Sequence, residues 1–340
     1  MTETPIESES LRVLWLTPDK PANISVGRKR IADYLQTQGI EVVLRGTTLQ
    51  TVRQSLRERR EFDVIVGTTR AGAIAGTLLS VLGSKPLLVD HIDPIRQFAE
   101  THPRLLSVVV RVLENASFAL ADHVIYVYDE EAARVRKYAS VATKTELGVP
   151  YDTFANPPQS VIERAETRLK RSGVNEHVVI YVGGLEPIYH IRELLDSMDY
   201  LPDWSLVILG TGSLEELVAS KAAERENVIY LGTVPHEDVP GYLHAADVGV
   251  SLVDDAHTLK VLEYGSAGLP VVQLRGRAEG RFAGLASFCT LEPQAIATAI
   301  RSAPETTDTN ALKETSKQYD WRSIGQVYES ALRSTVNDHQ

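Results

Sequence analysis

Residues 255–272, DAHTLKVLEYGSAGLPVV, set a lysine and a glutamate into an apolar stretch that closes on Gly-Leu-Pro-Val-Val. The run VGVSLV before it ends at Val253, and the helix formers after the loop predict a helix over 258–266 that Gly268-Leu-Pro ends. The first backbone N–H groups of such a helix lack internal partners and carry partial positive charge, which suits a phosphate. Lys260, in the first turn, adds a cation. Glu263, one turn along on the same side, offers a carboxylate that accepts hydrogen bonds from ribose or sugar hydroxyls. Asp255 stands eight positions before Glu263, in the loop. The plainer reading is that Asp255 caps the helix and Lys260 and Glu263 form a surface pair worth a few tenths of a kcal/mol. On these residues alone both readings stay open.

Other residues could serve the same chemistry. Gly210 and Gly212 in LGTG allow a backbone to approach a ligand closely, although a lone Gly-x-Gly is usually a strand-to-helix turn. Gly27 precedes Arg28, Lys29 and Arg30, which read either as a solvated face or as a seat for an anionic acceptor. His91 ends the run LLVDH, where a neutral imidazole can orient a hydroxyl or stabilise developing charge. A structural histidine is the competing reading. His190, His236, His244 and His257 lack ligand-like spacing, so no metal site is expected.

The elements that must position these residues fall into two series. RVLWLT, EVVLR, DVIVG, PLLVD and HVIYVY alternate with amphipathic stretches of helical length, the pattern of a parallel sheet covered on both faces. VVIYVGG, SLVILG, NVIYLG, VGVSLV, LPVVQL and LASFCTL repeat it. Between them GVPYDTFANPPQS, residues 148–160, breaks both periods and reads as a linker. The expectation is an α/β fold of two doubly wound, Rossmann-like domains facing a cleft: residues 1–155, residues 156–318, and a terminal helix over 319–340 that packs back across them. In that helix Trp321, Ile324, Val327, Tyr328 and Leu332 recur at helical spacing. Ligands of such sheets sit beyond the carboxyl ends of the strands.

Composition narrows the function classes. A formal charge of −10 over 340 residues argues against a nucleic-acid binder with a broad basic surface. Cys289 is the single cysteine, so an internal disulfide and a cysteine metal cluster are both excluded. The polar, acidic start MTETPIESES lacks the regions of a signal peptide, and no apolar run reaches the ~18 residues of a membrane span. A cytoplasmic protein is expected, with contact to a membrane surface as an option. HPRLLSVVVRVLENASFAL, with Arg104 and Arg111, fits a helix resting on a membrane near a lipid-linked acceptor; buried packing is the favoured explanation of its apolar pattern.

The stretch TLKVLEYGSAGLPVV resembles the donor motif of the retaining GT-B glycosyltransferases of family GT4, two acidic residues separated by seven others, with Thr258 in the place of a proline and Asp255 for the first glutamate. LADHVIYVYDEEAARVRKY, GVPYDTF, VVIYVGGLEP, LVILGTGSLEEL, VIYLGTVPHEDVPGYLHAADVGV and the terminal YDW follow in that family's order. The resemblance implies an enzyme that moves a hexose from a nucleotide diphosphate sugar to a glycan, lipid-linked or small-molecule acceptor, without a metal or other cofactor. By it Glu263 binds the ribose, Asp255 contacts the donor sugar, and the backbone of Ala256, His257, Thr258 and Leu259 cradles the diphosphate beside Lys260. Gly183 and Gly184 face the donor, Gly210 and Gly212 lie near the nucleoside, and Val234 follows the strand that passes the base. Gly27 faces the donor phosphates, and His91 lies beside the reacting sugar as the second catalytic residue with Asp255.

The sequence also departs from that family. It normally follows its first C-terminal strand with Gly-Arg and, a few residues on, Lys-Gly, the two cations pairing with the diphosphate. Here Gly184 stands for the arginine and Tyr189 for the lysine, with His190 after it. Each lost charge-assisted contact is typically worth roughly 1.5 to 3 kcal/mol. Arg192, Arg275 and Arg277 are the substitutes at hand, and a non-catalytic relative, acting as partner subunit or sugar-nucleotide sensor, is the alternative reading.

Overall fold

A computed structural model describes residues 11–18 and 24–338. The acidic start, residues 1–10, and residues 19–23 lie outside the described residues.

The chain divides into two compact units, residues 1–148 with 321–340, and residues 149–320. The first unit holds six parallel strands, β1 (Arg12–Thr17), β2 (Glu41–Gly46), β3 (Val64–Thr68), β4 (Leu87–His91), β5 (His123–Tyr126) and β6 (Ala142–Lys144), in the order β2-β1-β3-β4-β5-β6. The second holds β7 (His177–Val182), β8 (Trp204–Leu209), β9 (Val228–Gly232), β10 (Val248–Ser251), β11 (Val271–Leu274) and β12 (Ser287–Cys289), in the order β12-β11-β10-β7-β8-β9. Each unit is therefore doubly wound, and the second has the strand order of a dinucleotide-binding sheet. Of the six strands in the first unit only β6 escapes the sequence reading, because Ala142-Thr143-Lys144 is too short to show a period.

Fully buried β-branched and leucine runs such as β8 (WSLVIL) exist because helices cover both faces of each sheet. In the second unit one face packs Val179, Tyr181, Leu206 and Ile208 against Leu194 and Ile300, and the other packs Ile180, Val207 and Val271 against Leu262 and Leu312.

The boundary differs from the expected break at 155. Val149 and Phe154 are wholly buried in the second unit's core with Ile180 and Val207, so GVPYDTF belongs to that unit and holds a short helix, Tyr151–Ala155. The terminal helix, Trp321–Asn337, sits in the first unit, where Ile324, Tyr328 and Leu332 join Trp15, Ile31 and Leu35. Residues 319 and 320, expected with that helix, stay with the second unit, where Asp320 bridges to Val149.

Candidate functional site

In the second sheet the strand order reverses at the β10–β7 pair. The carboxyl ends of these two strands are where an open α/β sheet takes a ligand. There the backbones of neighbouring loops touch. A Cβ on Gly210 would lie 1.9 Å from the carbonyl oxygen of Gly183, and one on Gly212 would lie 2.6 Å from that of Leu185. Gly210 also has a φ of +138°, a conformation that other residues rarely adopt. The expected glycine role is thus met first by protein packed on protein.

The helix Leu259–Ser266 follows β10 and is fixed by its inward residues. Tyr264 is buried; its hydroxyl accepts from the Val182 amide at 3.0 Å, and its ring fills the space beside Gly249. Gly265 lets Leu312 and Ser316 approach from the helix Thr309–Lys317. These contacts leave Lys260 and Glu263 on the opposite side, both half-buried.

Lys260 lies over Gly183, where a Cβ would come within 2.6 Å of its Cε. Its Nζ is 4.3 Å from the ring centroid of Tyr189 and 5.7 Å from that of Tyr181. A lysine over aromatic faces gains roughly 0.5 to 2 kcal/mol. Tyr189 reaches this place past Gly184, where a Cβ would be 3.4 Å from its ring, and the Tyr181 hydroxyl donates to the Gly184 carbonyl at 2.6 Å. The two departures from the family pattern lie side by side: the Tyr189 ring is in ordinary contact range of Gly184 and carries a lysine from another helix. His190, after Tyr189, takes the left-handed conformation (φ 52°, ψ 42°) for which glycine is better suited.

Burial pushes the Glu263 carboxyl up to about 7, against the pull of Lys260, and burial likewise lowers the Lys260 ammonium. Among the described residues neither side chain makes a hydrogen bond or an ion pair. They stand as a donor and an acceptor of hydrogen bonds whose charges are only partly compensated.

The loop before this helix is tied internally. The Asp255 carboxylate accepts from the His257 amide at 2.9 Å, and the Thr258 amide donates to the Asp255 carbonyl at 3.4 Å. Two of the four amides expected to cradle a diphosphate, those of His257 and Thr258, are thereby engaged; Asp255 ties the loop to itself and does not cap the helix, whose N-cap is Thr258 without a side-chain hydrogen bond. Ala256 and Leu259 complete the segment. Arg281, which the sequence reading did not single out, donates to the Ala256 carbonyl at 2.9 Å, approaches His257 Nδ1 at 3.1 Å and lies 4.6 Å over Tyr319. No local spacing marks it, since it arrives from a four-residue helix 25 positions on. Of the proposed substitutes for the missing cations, Arg275 pairs with Glu279 at 2.6 Å, Arg277 with Asp254 at 3.6 Å, and Arg192 is exposed. Val234 is half-buried against the core under β9.

The first unit places its expected residues differently. Arg28 is 5% exposed, its Nε 3.2 Å from Asp90, and so leaves the basic face expected of residues 28–30; Lys29 and Arg30 remain exposed. Tyr328 of the terminal helix donates to Asp90 at 2.6 Å and accepts from Arg28 at 3.0 Å. Gly27 adjoins Trp321, where a Cβ would lie 2.9 Å from the indole. His91 is 1% exposed, its Nε2 3.0 Å from Glu131. Burial alone would raise the Glu131 carboxyl, but the His91 hydrogen bond, Arg134 and the Ile95 amide hold it down at about 2. His91 Nδ1 has no partner. At 1% exposure the imidazole does not meet the expectation that it touches a sugar in this state. No group of three or more His, Cys, Asp or Glu among the described residues is placed to hold a metal ion.

Comparison with known proteins adds three findings. Residues 176–304 match the family of glycosyl transferases group 1. A stretch of 134 residues is 27% identical to the "Putative teichuronic acid biosynthesis glycosyltransferase TuaH" of Bacillus subtilis (strain 168), a match over 37% of this chain and about a third (32%) of that relative's length. The fold is similar to that of Anabaena Alr3699/HepE, crystallised in complex with UDP (17% identity, TM-score 0.74, 95% of this chain and 100% of that one), and to sucrose-phosphate synthase of Thermosynechococcus elongatus (15%, 0.72, 95% and 98%). With two six-stranded parallel sheets and the group 1 match over its second unit, the chain has the GT-B fold of glycosyltransferases and carries a glycosyl transferases group 1 domain at residues 176–304.

Proposed function

We propose that this protein is a retaining glycosyltransferase of the GT4 type that transfers a hexose from a nucleotide diphosphate sugar to a glycan, lipid-linked or small-molecule acceptor. The observation that carries the reading is the pair Lys260 and Glu263: both half-buried at the strand-order reversal of the second sheet, both without an ion pair, on the segment that resembles a donor motif. Lys260, held on Tyr189 and Tyr181, takes the place of the two missing cations at the diphosphate. Glu263 accepts hydrogen bonds from the ribose hydroxyls. Asp255 and Arg281 hold the loop between them, and Gly183, Gly184, Gly210 and Gly212 keep the floor of the site within backbone contact. In this reading the departing phosphate takes the acceptor's proton, so the protein needs neither a nucleophile of its own nor a resident metal. Uridine is the first base to test, because HepE was crystallised with UDP and with UDP-glucose.

The test is thermal unfolding of the purified protein against UDP, GDP, ADP and their sugar conjugates. A ligand at 100 times its dissociation constant adds about 2.7 kcal/mol, a shift of a few degrees. The expected result is a shift with one nucleotide family that Glu263→Ala abolishes and Tyr189→Ala diminishes. No shift with any nucleotide, in a folded protein, overturns the donor site.

A further inference from the structure

The helix Arg104–Leu120 turns its polar side inward. Ser107, Glu114 and Ser117 are buried, with Phe118 the one large apolar residue beside them, and Glu114 accepts from Arg134 at 2.7 Å. Leu105, Val108, Val109, Val112 and Leu113 face outward, Leu105 79% and Val112 59% exposed. Their spacing of three and four residues makes one stripe along the helix. On an ordinary surface helix that stripe would face the core, and the sequence reading favoured such packing. The structure reverses it. The neighbouring helix Thr69–Gly83, packed against this one, adds exposed Leu78, Val81 and Leu82. Ten of the fifteen exposed large hydrophobic side chains among the described residues lie on these two helices. Apolar surface gathered in this way marks an interaction site.

The charges at its margin select the occupant. Arg104 and Arg111 are exposed beside the stripe, and neither makes an ion pair among the described residues. Two grooves run along that flank: one of 380 Å³ lined by Arg96, Arg104 and Arg111, and one of 590 Å³ lined by Arg111, Lys137 and Glu130. Glu130 is the single carboxylate lining either groove, and Arg96 holds it at 3.4 Å. The chain carries a net charge of −10, so this cationic margin runs against its overall sign. A second copy docked about a two-fold axis would present this same patch, whose grooves offer only Glu130 as a carboxylate to meet Arg104 and Arg111. A layer of anionic headgroups over hydrocarbon complements both the arginines and the apolar stripe.

We propose that the outward face of helix Arg104–Leu120, together with Leu78, Val81 and Leu82, seats the first unit on a bilayer surface containing anionic lipid. The binding is peripheral, since no helix among the described residues is long and apolar enough to cross a membrane. It draws on the first unit alone and stands apart from the donor reading.

Flotation of the full chain with vesicles of phosphatidylcholine, alone or mixed with phosphatidylglycerol, tests this. The protein is expected to rise with the mixed vesicles and to be released by salt. Arg104→Gln with Arg111→Gln lowers partitioning about 30-fold, from about 1 kcal/mol per basic side chain. Val109→Asp with Val112→Asp keeps the protein at the bottom; both positions are exposed, so the unfolding midpoint stays that of the parent. A parent protein that never floats overturns the proposal, as does binding indifferent to both double variants. A dimer that the valine variant dissociates, without vesicle binding, gives the face to a second copy instead.

Discussion

At the scale of single residues the site turns on a carboxyl and an amine that burial makes less willing to ionise. Glu263, with its carboxyl up at about 7, is largely protonated at pH 6 and accepts hydrogen bonds poorly there. Donor binding through Glu263 therefore strengthens as pH rises through 7 and levels off above it, a change of about tenfold between pH 6 and pH 8. Calorimetric titration with a sugar nucleotide, whose phosphates do not titrate in that range, checks this, and Glu263→Gln flattens the profile. In the empty protein the same group acts on stability in the opposite direction. Its folded value lies above its ordinary 4.5, so the folded state binds the extra proton. Stability is fully present below about 4.5 and falls as pH climbs toward 7.

At the scale of elements, the terminal helix is joined to the first sheet by a buried polar network. Trp15 of β1 donates to Thr68 of β3 at 2.7 Å, Thr68 donates to Asp90 of β4 at 2.8 Å, and Asp90 meets both Arg28 and Tyr328. Removing one hydroxyl from such a network leaves the other polar groups unsatisfied away from water. Tyr328→Phe is expected to destabilise the protein by about 1 to 3 kcal/mol, read as a lower midpoint in urea with an unchanged slope. An unchanged midpoint would mean that Arg28 compensates Asp90 without the phenol. The ring itself, stacked on Trp15 with centroids 5.5 Å apart, is retained in the variant.

At the scale of the whole molecule, the first unit is discontinuous in sequence and the second is not. Truncation after Asp320 removes Trp321, Ile324, Tyr328 and Leu332 from the first unit's core while sparing every strand of the second. Calorimetry of the truncated chain is expected to show two transitions, the first unit's displaced to lower temperature and the second unit's preserved. A single transition moved as a whole would show instead that the two units unfold together.

The order of strands and helices, eleven of twelve strands and the Leu259–Ser266 helix were legible in the sequence, because burial on both faces of a parallel sheet writes continuous apolar runs and helices write a period of 3.6. Three things were decided only by the tertiary structure. Tyr189 carries Lys260 across a distance in sequence that no local pattern records. Arg28 left the basic surface for Asp90 and Tyr328, since the sequence shows a charge but not the partner that the fold brings to it. The helix Arg104–Leu120 turned its apolar stripe outward, because periodicity fixes which residues share a face and only packing fixes where that face points.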